Sequence, residues 1–253
     1  MDFLVRTRLL IGDEAMGILK SSTIAVFGIG GVGSFTAEAL GRCGVGKLIL
    51  IDFGRINISN INRQIHSTGK TIGRYKVDAM KERLQEINPW IEVQTFKEIY
   101  NEDTKSGLIK NSYDYVIDAI DTISSKISLI VNCKNMNIPI VSSMGAGNKL
   151  DPSKLKIADI YETKMCPLAK VIRNELKKRE IESLKVVYSN EKPIKININK
   201  SADDLSAKTE NESGKIFKKP PIGSVSFVPS AAGLMLASVA IRELIGVPVD
   251  TNR

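Results

Sequence analysis

The stretch Ser22-Thr-Ile-Ala-Val-Phe27-Gly28-Ile-Gly30-Gly31-Val-Gly33 is an apolar run followed by a glycine turn, and Asp52 closes the next apolar run. The order is strand, turn, helix, strand and then an acidic residue at the strand end. Glycines let the chain turn tightly and bring backbone N–H groups against phosphates at a helix start. Asp52 lies 19 residues past Gly33, where a carboxylate can take ribose hydroxyls. That much indicates only a nucleotide. The next polar stretch, Ser59-Asn60-Ile-Asn62-Arg63-Gln64, is followed by Lys76 and Asp121. A nicotinamide-binding protein needs no such row of phosphate-facing groups. Triphosphate chemistry does.

Working outward, residues 13–20 predict a short helix ahead of the first strand at 22–28. Val32, Phe35, Ala39 and Leu40 recur at helical spacing and predict a helix over 31–43. Further strands are expected at 47–52, 91–96, 113–118 and 138–143, with helices over 74–88, ending before Pro89, and 122–136. Short apolar strands alternating with helices predict an α/β fold: a Rossmann-like, mostly parallel sheet with helices on both faces, over about 22–145. After Gly145-Ala-Gly147 the pattern changes to a C-terminal extension. Strands are expected at 155–161, 185–189 and 223–228, and helices at 168–180 and 231–245. Residues 190–222 are polar and contain Pro193, Pro220 and Pro221, so a mobile loop is expected there.

Composition excludes several classes. With 43% hydrophobic and 25% charged residues the 253-residue chain is ordinary globular protein. The N-terminus lacks the order of a signal peptide, and no uninterrupted apolar run reaches the roughly 18 residues of a membrane span. Cys43, Cys133 and Cys166 form no C-x-x-C pair and suit a reducing cytoplasm. Cys166, before Pro167, is weighed as a reactive thiol against a bystander. His66 is the only histidine, which rules out a histidine-rich metal site. The net charge of +8 is uneven: residues 164–220 hold 14 Lys/Arg against 8 Asp/Glu, and the remainder 22 against 20. A local excess suits a polyanion-facing patch, with a solvated lysine-rich surface as the alternative.

Gly28, Gly30, Gly31, Gly33, Asp52, Asn60-x-x-Arg63-Gln64, Lys76 and Asp118-x-x-Asp121 together resemble the ubiquitin-activating superfamily, whose bacterial members include the ThiF-type adenylyltransferases of thiamine and molybdopterin biosynthesis. Arg8-Leu-Leu-Ile-Gly12, Asn60-Ile-Asn-Arg-Gln-Ile-His66 and Gly223-Ser-Val-Ser-Phe-Val-Pro229 are most similar to its tRNA threonylcarbamoyladenosine dehydratase branch. The resemblance implies a single adenylating domain over 1–253, binding ATP and Mg²⁺. Asp52 would hold the ribose, and Asn60, Arg63 and Lys76 would contact the phosphates with Gln64 in support. Asp121 would bind the metal, and Arg8 would reach the active site of the partner subunit in a homodimer. Arg63, Lys76, Asp121 and Arg8 are thus the candidate catalytic residues. The implied substrate is tRNA carrying threonylcarbamoyladenosine, whose threonyl carboxylate is adenylated before ring closure. The alternative acceptor is the C-terminal carboxylate of a ubiquitin-like sulfur carrier. A sulfurtransferase partner and a monovalent cation stay open. Against these roles stand local ones: hydrogen bonding for Asp52, a helix cap for Asp121, surface charge for Arg63 and Lys76, and a structural carboxylate at Asp118.

Overall fold

Apolar runs only four or five residues long, buried almost end to end, need cover on both faces, and parallel pairing supplies it. The computed structural model describes residues 3–196, 208–210, 216–218 and 222–249. Its main sheet has seven strands: β1 Thr23–Phe27, β2 Lys47–Ile51, β3 Glu92–Phe96, β4 Tyr115–Asp118, β5 Ile140–Ser143, β6 Leu155–Asp159 and β7 Lys185–Ser189. Their spatial order is β3-β2-β1-β4-β5-β7-β6. All pairings are parallel except β6 with β7 at the edge. The chain leaves β1 in one direction to β2 and β3 and returns to β4 on the other side. That reversal opens a crevice at the carboxyl ends of β1 and β4.

Helices α1 Val5–Ser21, α2 Gly33–Arg42, α3 Lys76–Ile87 and α7 Phe227–Leu244 cover one face. Leu19, Leu40, Leu84 and Leu236 fill that side with Val26 and Leu50. The short α4 Lys105–Leu108, α5 Ile123–Asn135 and α6 Pro167–Lys177 cover the other, where Ile130 and Ile172 meet Phe27 and Val116. By length and composition α7 could cross a membrane, with 18 residues of mean hydropathy 1.4. Its packing says otherwise: Leu236, Val239 and Ala240 are buried against the sheet, and a Cβ on Gly233 would collide with the O of Val32, the residue that caps α2. This is a core helix.

Two expectations need correction, and a third falls largely outside the described residues. The first helix begins at Val5, not residue 13, because two helical pieces join across Gly12, whose φ of 82° only glycine adopts readily. The strand expected at 223–228 does not form. Gly223 exchanges hydrogen bonds with Asn148, and α7 already starts at Phe227 with Pro229 in its first turn, where proline costs no hydrogen bond. Finally, the loop expected over 190–222 falls largely outside the described residues. Its described parts include an antiparallel ribbon of β8 Lys208–Glu210 and β9 Ile216–Lys218.

Candidate active site

The crevice is built first by backbone. A Cβ at Gly28 (φ 88°) would lie 2.6 Å from Ala119 O, and one at Gly33 would run into Gly28 O. The glycine turn therefore presses directly on the loop after β4. Gly31 lies under Arg63 and Pro229, where a Cβ would come within 3.4 Å of Arg63 Cγ. Gly30 differs, since no protein atom lies within 4 Å of where its Cβ would be. No contact within the chain demands glycine there, and the space at that position is open.

Asp52, at the end of β2, accepts hydrogen bonds from Ile29 N and Gly54 N, both at 2.7 Å. It thus ties the second strand to the glycine turn while retaining lone pairs on both oxygens. Lys76 Nζ stands 3.8 Å from Asp52 Oδ2, at the first residue of α3. A cation at a helix N-terminus opposes the helix dipole, a local disadvantage of the kind proteins accept at functional sites. Gly54 allows this approach, for a Cβ there would lie 3.0 Å from Lys76 Nζ.

The loop from 57 to 66 supplies the other groups. Arg63, half-buried, is held by Ser59 O at 2.8 Å and Asn62 Oδ1 at 2.9 Å. Asn60 spends its side-chain oxygen on Asn57 N in a capping box, leaving its amide N–H groups for a ligand. Gln64 is buried and receives Ser67 Oγ, so its place is behind the loop. Asn62 donates to Ser224 O at 2.9 Å and joins this loop to the segment entering α7. His66 is buried with neither ring nitrogen hydrogen-bonded. Burial first, then the charges of Lys76 and Arg83, pushes it down to about 4, so it is neutral at pH 7.

The two aspartates after β4 separate cleanly. Asp118 is fully buried and accepts Lys126 Nζ (2.7 Å), Ser142 Oγ (2.5 Å) and Ile120 N (3.1 Å). This is a structural carboxylate, sealed from solvent and already paired with an ammonium. Asp121 is exposed, and among the described residues it makes no hydrogen bond or ion pair. It is not the cap of α5 either, because Thr122 holds that position. Among the described residues no cluster of three or more acidic, cysteine or histidine ligands exists. Arg8 lies on α1, with Nε 3.1 Å from Asp13 Oδ1. The thiols are quiet: Cys133 and Cys166 are buried, and burial raises Cys43 and pushes Cys133 up to about 12.

A family model described as the ThiF family matches residues 4–253. The chain belongs to the ThiF family. It is 46% identical over 242 residues, 95% of this chain and 93% of the relative, to the tRNA threonylcarbamoyladenosine dehydratase of Bacillus subtilis (strain 168). Over 171 residues it is 39% identical to the protein of the same name from Escherichia coli (strain K12), covering 68% of this chain and 64% of that one. Among solved structures it resembles the E. coli tRNA N6-threonylcarbamoyladenosine dehydratase in complex with ATP. The TM-score is 0.82 at 30% identity, over 96% of this chain and 93% of that one.

Within this ThiF fold, the structure adds site residues that sequence reasoning missed. Gly54 was readable as a second glycine beside Asp52. Lys126 shares a helical stripe with Ile130 and Cys133, and a lysine in an apolar stripe signals a buried partner. Asn62 and Gly233 carried no such mark, because what they touch is distant in sequence.

Proposed function

We propose that this chain consumes ATP to dehydrate N6-threonylcarbamoyladenosine in tRNA to its cyclic form. A threonyl carboxylate oxygen would bond to the α-phosphorus of ATP as pyrophosphate leaves. The carbamoyl group then attacks the acyl carbon, and AMP departs with that carboxylate oxygen, so the nucleoside loses one water. The observation that carries this reading is the apposition of the glycine turn and the loop bearing exposed Asp121, in a chain 46% identical to a dehydratase.

The residue roles follow from charge. Arg63 and Lys76 offset negative charge developing on the α-phosphate and the leaving group, and preorganised charges of this kind are worth about 10²-fold or more each. Asp52 keeps acceptor capacity for ribose hydroxyls, and Gly30 leaves room for a phosphate. Asn60 offers its amide, with Gln64 fixing the loop behind it. Asp121 suits Mg²⁺, which favours one or two protein carboxylates and completes its shell with phosphates and water; bound there, magnesium would neutralise phosphate charge. Residues 1–253 act as one adenylating unit in the reducing cytoplasm. A homodimer is supported by Leu9 and Leu10, 79% and 85% exposed on the helix that also carries Arg8, which would complete the neighbouring subunit's site.

The test is mass spectrometry of nucleosides from tRNA incubated with the protein, ATP and Mg²⁺. Loss of one water from threonylcarbamoyladenosine, matched by AMP, is the expected result. Unchanged nucleosides, with adenylation of a carrier protein ending in Gly-Gly, would move the assignment to sulfur-carrier activation. In a thermal-shift measurement ATP with Mg²⁺ should stabilise the protein and NAD should not.

A further inference from the structure

Charge excess in residues 164–220 does not say which lysines could meet an RNA backbone, because many side chains there are already engaged. Lys178 and Arg179 share the single carboxylate of Glu175 at 2.6 Å each, and Lys185 pairs with Glu243. Arg173 is bound to Thr163. Lys164, Lys170, Lys177, Lys192 and Lys195 remain, all exposed and without an ion pair or side-chain hydrogen bond among the described residues.

These five are not scattered. Ala169, Ile172 and Leu176 turn one side of α6 into the core. Lys170, Val171, Asn174 and Lys177 therefore share the outward side, with the two lysines about 10 Å apart along the axis at 1.5 Å per residue. An open depression of about 550 Å³ lies on this side, lined by Val171, Asn174, Glu175, Lys177 and Lys178. Lys164 stands just ahead of the helix. The head of α6 meets the loop after β5, since a Cβ on Gly145 would lie 3.6 Å from Cys166 Sγ and 3.7 Å from Leu168 Cβ. Lys192 and Lys195 flank Ile194, whose N–H donates to Asn148 O of that same loop. The loop sits one strand beyond β4, hence about 5 Å along the sheet edge from the strand that presents Asp121.

We propose that this band, from Lys192 and Lys195 across Lys164 and down α6 through Lys170 to Lys177, is the docking surface for the phosphodiester backbone of the tRNA. It rests on the functional reading above and adds the surface that reading leaves open. The band starts at the catalytic edge of the sheet and runs away from it. A stem held along α6 would thus leave its modified nucleoside at the crevice. Val171 and Asn174 provide the uncharged floor between the cations.

The test is the triple reversal Lys164→Glu, Lys170→Glu, Lys177→Glu in the full chain, assayed for dehydration of tRNA across a salt series. We expect KM for tRNA to rise at least tenfold with kcat at saturation little changed, and thermal stabilisation by ATP to match the parent. The milder set Lys164→Gln, Lys170→Gln, Lys177→Gln keeps the test open if the reversal misfolds. It should make the log–log salt slope shallower by about 2, since each phosphate contact contributes roughly 0.7 to 0.9. Lys110→Glu, exposed at the opposite edge of the sheet, should leave KM alone. Unchanged KM and slope in both triple variants, with an active parent, would overturn the docking surface only. A parent that cannot dehydrate tRNA would overturn the functional reading, and the surface with it.

Discussion

Two strands of this sheet end in an aspartate paired with a lysine from the following helix, and the two pairs do opposite things. At β4 and α5, Asp118 and Lys126 are both 0% exposed and 2.7 Å apart. Lys126 spends its three N–H donors on Asp118, Ser142 Oγ and Ser143 O. At β2 and α3, Asp52 and Lys76 are 11% and 17% exposed and 3.8 Å apart, beyond hydrogen-bond range. A saturated pair has nothing to offer a ligand, and breaking it strands a charge in the dry interior. A slack pair at the rim can exchange its partner for a ribose or a phosphate at little cost. Saturation of donors and acceptors, more than residue type, separates framework from candidate chemistry here.

The sharpest way to break the contrast is Lys126→Met. It should destabilise the protein by about 3–5 kcal/mol by leaving Asp118 buried without its cation. For a chain of this size that lowers Tm by roughly 10 °C in calorimetry. A change below about 1 kcal/mol would mean that the sealed pair does not hold the end of β4.

Acid probes the slack side through His66, which lies in the field of Lys76 and Arg83. Its folded value of about 4 lies below the ordinary 6.5. The unfolded chain therefore binds a proton first as pH falls. Stability is fully present above pH 6.5 and drains away down to about pH 4, by up to roughly 3 kcal/mol. Urea unfolding of the parent and of His66→Gln across this window should show a steeper acid loss in the parent. Parallel curves would remove the histidine from the account.

Next come Lys76→Ala, Arg63→Ala and Asp121→Ala. Each should cut kcat/KM for tRNA dehydration by about 10²-fold, near 2.7 kcal/mol, with Tm held within a few degrees. If Lys76→Ala instead lowered Tm as Lys126→Met does, the two pairs would be alike and the distinction would fail. The smallest effect belongs to Cys166→Ser. The thiol is buried at the cap position of α6, where serine caps well, and ring closure needs no thioester. Activity and stability should stay close to the parent, within about 1 kcal/mol. Complete loss of turnover in a folded variant would point to a covalent sulfur step.

How much of this was legible beforehand can be read from particular residues. The glycine turn, Asp52, Lys76 and Asp121 are marked by local rules: a turn that needs glycine, a strand that ends, a polar row that no core would tolerate. Strands β1 to β5 and helices α2, α3 and α5 followed from the period of apolar residues, whereas the short α4 did not. The false strand at 223–228 shows the limit of that reading. Ser-Val-Ser-Phe-Val alternates as a strand does, yet Gly223 just before it is paired with Asn148, Ser224 O receives Asn62, and α7 has begun by Phe227. Likewise, the +6 of residues 164–220 was visible as a sum, but which cations Glu175 and Glu243 had already engaged was not.

The sequence by itself determined the parallel sheet, the nucleotide turn and the polar residue types gathered near it. Each depends on neighbours within a few positions, where sterics and periodicity act. Tertiary structure alone decided the rest: that Asp118 is sealed while Asp121 stands open, that Gly233 admits α7 against α2, and that Asn62 reaches Ser224. It also decided that α6 faces its unpaired lysines outward from the catalytic edge. Those outcomes depend on which groups 24 to 197 positions apart become neighbours and use up each other's hydrogen bonds. No local pattern encodes that competition.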